Sequence, residues 1–111
     1  VTVAASDTRL PGLHELARLL EAHERFAVVS HVAPDGDAIG STVALARMLR
    51  RLGKDVVVVH GEGTPEAFAY LGTEEWQRAL PTDIAGRVAV AVDCAARGRL
   101  ACDGAFEQAL L

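Results

Sequence analysis

Apolar residues recur along the chain with two alternating periods. Leu13, Leu16, Ala17 and Leu20 fall at i, i+3, i+4 and i+7, which gathers them on one face of a helix and predicts a first helix from about Pro11 to Glu24. The run F-A-V-V-S at Phe26–Ser30 is short and continuously apolar, and reads as a buried strand. Ile39, Val43, Leu45, Met48, Leu49 and Leu52 restore the helical spacing. They predict a second helix that starts near Ala38 and stops at Gly53, where a left-handed residue closes a helix at little steric cost. V-V-V-V-H at Val56–His60 is a second strand, too uniformly β-branched for a sheet with one wet face. Beyond G-E-G-T-P at Gly61–Pro65, weaker helical segments are expected over Glu66–Leu71 and Thr73–Leu80. V-A-V-A-V at Val88–Val92 is the third strand, and it ends at Asp93.

Strands that are apolar on both faces and separated by helices imply an α/β fold, a parallel sheet flanked by helices on both faces. Ligands of such sheets collect outside the carboxyl ends of the strands. That rule singles out S-H-V-A-P-D-G-D-A-I-G-S, Ser30–Ser41, which follows the first strand, and Asp93, which follows the third. His31, Asp35, Asp37 and Asp93 are thereby expected on one edge of the sheet. Three carboxylates beside an imidazole repel one another unless a cation neutralises them. Carboxylate oxygens suit Mg²⁺ and Mn²⁺, and the histidine nitrogen moves the preference toward Mn²⁺, with Fe²⁺ or Co²⁺ as substitutes. A helix N-terminus near Ala38 would add partial positive charge suited to a phosphate. The same residues admit a plainer reading, in which P-D-G-D is a turn, Asp37 caps the helix and Asp93 caps a strand. On the residues alone, both readings stay open.

Composition narrows the field. A chain of 111 residues, half of them hydrophobic, suits one compact domain or part of one. No apolar run approaches the roughly 20 residues of a membrane span, and V-T-V-A-A-S-D-T-R lacks the apolar stretch of a signal peptide, so a soluble, cytoplasmic protein is expected. Cys94 and Cys102 form no C-x-x-C pair and read as reduced cysteines. The formal net charge of −4 argues against a broad basic surface for long nucleic acid. A phosphate-bearing substrate therefore needs a local reversal of the field. Arg97 and Arg99 are candidates for phosphate contact, for a solvated loop or for a structural ion pair; His60 ends the second strand on the same edge and reads as a loop histidine, with support behind the site's ligands as the alternative; and Phe68 and Trp76 read as packing residues.

S-H-V-A-P-D-G-D-A-I-G-S resembles the first motif of the DHH phosphoesterase superfamily, and V-A-V-A-V-D-C-A resembles its second, at about the expected separation. Within that superfamily the chain is most similar to the bifunctional oligoribonuclease and 3′-phosphoadenosine-5′-phosphate (pAp) phosphatase group, with exonucleases and cyclic dinucleotide phosphodiesterases as relatives. The resemblance implies that His31 and Asp35 bind one Mn²⁺, that Asp37 binds a second and that Asp93 reaches both. Asp37 and Asp93 would then be catalytic, and Mg²⁺ or Co²⁺ could replace Mn²⁺. The implied reaction is two-metal hydrolysis of short RNA (nanoRNA), of pAp, or of a cyclic or linear dinucleotide. The D-H-H motif itself is absent, since the histidines are His14, His23, His31 and His60 and none stands in that context. Residues 1–111 are therefore expected to be the N-terminal portion of a catalytic domain. Without the D-H-H motif and the C-terminal substrate-binding domain, the chain is not expected to be competent alone. An uncovered strand edge would favour self-association or a homodimer. The alternative is a non-catalytic α/β module that binds a nucleotide or a protein.

Overall fold

A computed structural model describes residues 10–94; Arg97, Arg99 and Cys102 lie outside the described residues. Helix α1 spans Leu10–Ala22 and leads into strand β1, Arg25–Val29. Helix α2, Gly36–Arg51, crosses back to β2, Asp55–Val58. Three 3-10 helices, Glu66–Leu71, Thr73–Glu75 and Ile84–Gly86, then precede β3, Val88–Ala91. The strands form one parallel sheet in the order β2-β1-β3. The expected α/β class is what the chain adopts.

The sheet buries both faces, as its uniformly apolar strands require. Phe26, Val28, Val56, Val58, Val90 and Val92 pack on one face with Leu20 of α1 and Ala46 and Leu49 of α2. Ala27 and Ala89 pack on the other with Ile84 of the last 3-10 helix. Within α2 the buried set is Ala38, Ile39, Thr42, Val43, Ala46 and Leu49. The expected stripe is thus corrected in part: Leu45 is half-buried, and Met48 and Leu52 are exposed, because the smaller Ala46 and Thr42 are the residues that let the helix approach the sheet. Similarly, α1 engages the core through Leu16 and Leu20, while Leu13 and Ala17 remain exposed.

Strands and α1 shift by a residue or two from the expected bounds, and two further differences have local reasons. Helix α2 begins at Gly36 because Asp35, not Asp37, is its N-cap: the Asp35 Oδ1 accepts the Ala38 N–H at 2.9 Å. The segment after Glu75 leaves the helical path, since Gln77 pairs in parallel with Val59. The Gln77 N–H bonds the Val58 carbonyl at 2.9 Å, and its carbonyl accepts the His60 N–H at 2.7 Å, which covers part of β2's outer edge. Gly53 closes α2 as expected, with φ +82°. Among the described residues, no helix is long and apolar enough to cross a membrane.

Candidate metal centre

Register builds the site. β1 and β3 pair Phe26 with Val88 through Val29 with Ala91, and the Val92 N–H continues the ladder to the Val29 carbonyl at 2.9 Å. Carrying that offset past the strand ends brings His31 level with Asp93. Their side chains meet there, the His31 Nε2 lying 3.6 Å from Asp93 Oδ2. Asp35 arrives by a different route. As N-cap of α2 it is fixed by the bond to Ala38, which holds its Oδ1 3.8 Å from the same Nε2. One ligand atom from each of His31, Asp35 and Asp93 lies within 4.8 Å of the others.

The donor set fits a divalent cation. The His31 Nδ1 lies 2.6 Å from the Val32 carbonyl, which can only accept, so Nδ1 carries a proton and Nε2 is the nitrogen turned to the two carboxylates. A backbone carbonyl on the far nitrogen is the usual way that a metal-ligating imidazole is oriented. The cap takes one lone pair of Asp35, and a carboxylate has about four sites for acceptance, so ligation and capping are compatible. Asp93 has φ +52°, a left-handed backbone that aspartate tolerates better than most residues. His31 is partly buried while Asp35 and Asp93 are exposed, which keeps the carboxylates open to solvent and to a ligand.

Asp37 stands outside this group. It lies exposed in the first turn of α2, where its charge favours the positive end of the helix. The structure thus brings together His31, Asp35 and Asp93 of the four expected residues.

Two further residues face this site from the end of β2. His60 is 1% exposed, and its Nε2 lies 3.3 Å from the His31 carbonyl, so Nε2 holds the proton. Its Nδ1 is then a bare acceptor, buried and without a hydrogen-bond partner. Burial holds the imidazole below its ordinary value of 6.5, against the opposing influence of the His31 carbonyl, so His60 is neutral near pH 7. The Glu62 carboxylate accepts the Ala33 N–H at 2.7 Å. The sequence places His60 on this edge as a loop histidine or a support for the ligands, and gives Glu62 no role. The usable signal for His60 was the register of two parallel runs, which sets it level with Ser30; Glu62, in an irregular loop, carried none.

Comparison with curated proteins finds no match. Comparison with family models matches residues 25–110 to the DHH family, N-terminal domain, a span that opens on the first residue of β1 and includes the whole His31–Asp93 site. The chain belongs to the DHH family, and a phosphoesterase-type function follows at the level of that family.

Proposed function

We propose that this chain carries part of the active centre of a manganese-dependent phosphoesterase that hydrolyses short oligoribonucleotides, pAp, or a cyclic or linear dinucleotide. The observation that carries the reading is the His31 Nε2, freed by the Nδ1 bond to Val32 and flanked by the carboxylates of Asp35 and Asp93. One nitrogen and two carboxylates suit Mn²⁺ better than a structural zinc, and a two-metal arrangement would recruit Asp37 and Asp93 for the second ion. Divalent metal, when bound, supplies Lewis acidity and an activated water for attack at phosphorus.

The chain's own residues supply the rest. Asp35 and Asp93 hold negative charge where a dication can offset it, which reverses the local field of an acidic protein. Asp35 caps the N-terminus of α2, so the partial positive charge of the helix lies beside the same point and favours a phosphoryl oxygen. The Val32 carbonyl takes the His31 Nδ1–H, which turns Nε2 toward Asp35 and Asp93, where it would serve as the nitrogen ligand.

Testing this requires two measurements. Calorimetric titration of the chain with Mn²⁺ should show one site of micromolar affinity or weaker, abolished in His31→Ala. In the whole encoded protein, Asp93→Asn should remove Mn²⁺-dependent hydrolysis of RNA dinucleotides, pAp and cyclic dinucleotides by several orders of magnitude while the fold survives, since asparagine also accepts a left-handed backbone. Near-normal turnover in that variant would place the chemistry elsewhere.

A further inference from the structure

We propose that His60 and Glu62 are positioning residues, a two-point clamp from the carboxyl end of β2 that holds the His31–Asp35 loop in its ligating shape. This inference rests on the metal reading above and adds residues to it.

The loop between β1 and α2 has to place an imidazole at one end and a capping carboxylate at the other on a single point, and its own backbone does little to hold that shape. Pro34 has no N–H to donate. The Val32 carbonyl is used to orient the His31 ring. Ala33 takes φ +49°, a left-handed conformation that an alanine adopts only when its surroundings require it. A loop with these properties needs bonds from outside.

Both outside bonds come from residues 60–62. The His60 Nε2–H donates to the His31 carbonyl at 3.3 Å, and the Ala33 N–H donates to the Glu62 Oε1 at 2.7 Å, a short, charge-assisted contact. The two bonds grip the backbone on either side of Val32, one by its acceptor and one by its donor. The clamp has its own anchorage. The His60 N–H bonds the Gln77 carbonyl at 2.7 Å and the His60 carbonyl accepts the Gly63 N–H at 3.0 Å, so the gripping residues are tied to the outer edge of β2. Glu62 is not a member of the ligand group and His60 turns its protonated nitrogen to a carbonyl, so neither substitutes for a ligand. Their role is to fix where His31 and Asp35 stand.

The test is Mn²⁺ calorimetry on the full chain as wild type, Glu62→Ala, Glu62→Gln, His60→Ala and His60→Gln, with thermal unfolding and amide exchange of Ala33 measured on the metal-free proteins. Loss of an outer hydrogen bond of this kind weakens metal binding by about 10- to 100-fold. Glu62→Ala should show that loss together with faster exchange at Ala33 and a nearly unchanged melting temperature. Glu62→Gln keeps an acceptor oxygen and should recover most of the affinity. His60→Gln keeps a donor near the Nε2 position and should bind better than His60→Ala. Wild-type Mn²⁺ affinity in Glu62→Ala, or Glu62→Gln as weak as Glu62→Ala, would overturn the clamp while leaving the metal reading standing. A wild type that takes up no Mn²⁺ would overturn both.

Discussion

Arg87 ties the amino end of the sheet together, and its removal should be expensive. The residue is 6% exposed. Its Nη1 donates to the Phe26 carbonyl at 3.1 Å and to Asp55 Oδ1 at 3.1 Å, and Nη2 reaches Asp55 Oδ2 at 3.2 Å, a forked pair across the β1–β2 seam. Nε and Nη2 hold Asp83, just ahead of β3, at 3.1 Å each. Arg87→Met keeps most of the stem and deletes every donor. A buried hydrogen bond from a charged donor contributes about 1.5–3 kcal/mol, and this is the worth of the bond to the fully buried Phe26. The Asp55 side chain is more than half exposed, so solvent screening limits its pair with Arg87 to under about 1 kcal/mol. Together these put the cost at roughly 2–4 kcal/mol, with loss of the Asp83 bonds acting in the same direction. In a urea titration with a slope near 1.5 kcal/mol/M, the midpoint should fall by about 1.3–2.7 M. The Mn²⁺ affinity proposed for the site at the opposite edge should be the same in the variant as in wild type in conditions where the variant remains folded. A midpoint shift below about 0.3 M would refute the assignment of Arg87 as the tie between strands.

Other outcomes can be checked on the same preparations. Leu49 is fully buried between α2 and the sheet, so Leu49→Ala should cost about 2–5 kcal/mol in the same urea titration. The hydrogen bonds from Arg87 hold the Asp83 carboxyl below its ordinary value of 3.8 in the folded chain. Unfolding therefore takes up protons near that pH, and the stability that Asp83 contributes is present above 3.8 and lost as pH falls through the lower folded value. Urea titrations from pH 6 to pH 3 should accordingly show a flatter acid limb in Asp83→Asn than in wild type.

How much of this was legible in the sequence follows from what each signal measures. Period-2 and period-3.6 patterns report which positions can be buried, and the strands at Phe26, Val56 and Val88 were legible because parallel strands are buried on both faces. The same patterns could not say that Ala46 and Thr42, not Met48 and Leu52, would face the sheet, since small residues carry little hydrophobic signal although they permit close approach. His31, Asp35 and Asp93 were legible as a group because topology alone sends them to one edge. Which aspartate would cap α2 was not, because P-D-G-D offers two candidates and only the path of the loop chooses between them. Glu62 acts through one bond to a backbone N–H twenty-nine residues away, and no local pattern encodes such a partner.

The pairing of His31 with Asp93 spans sixty-two residues of chain and depends on β1 and β3 having joined in the correct register. A slip of one residue would send Asp93 to the opposite face of the sheet. The grouping of His31, Asp35 and Asp93 is therefore absent from the denatured ensemble and from any intermediate in which only α1, β1 and α2 have formed. Contacts of such long separation are made late, after loop closure has been overcome. Metal bound there acts on the barrier to leaving the native state more than on the barrier to reaching it: Mn²⁺ should slow unfolding and leave the refolding rate nearly untouched, a lock applied after the sheet has closed.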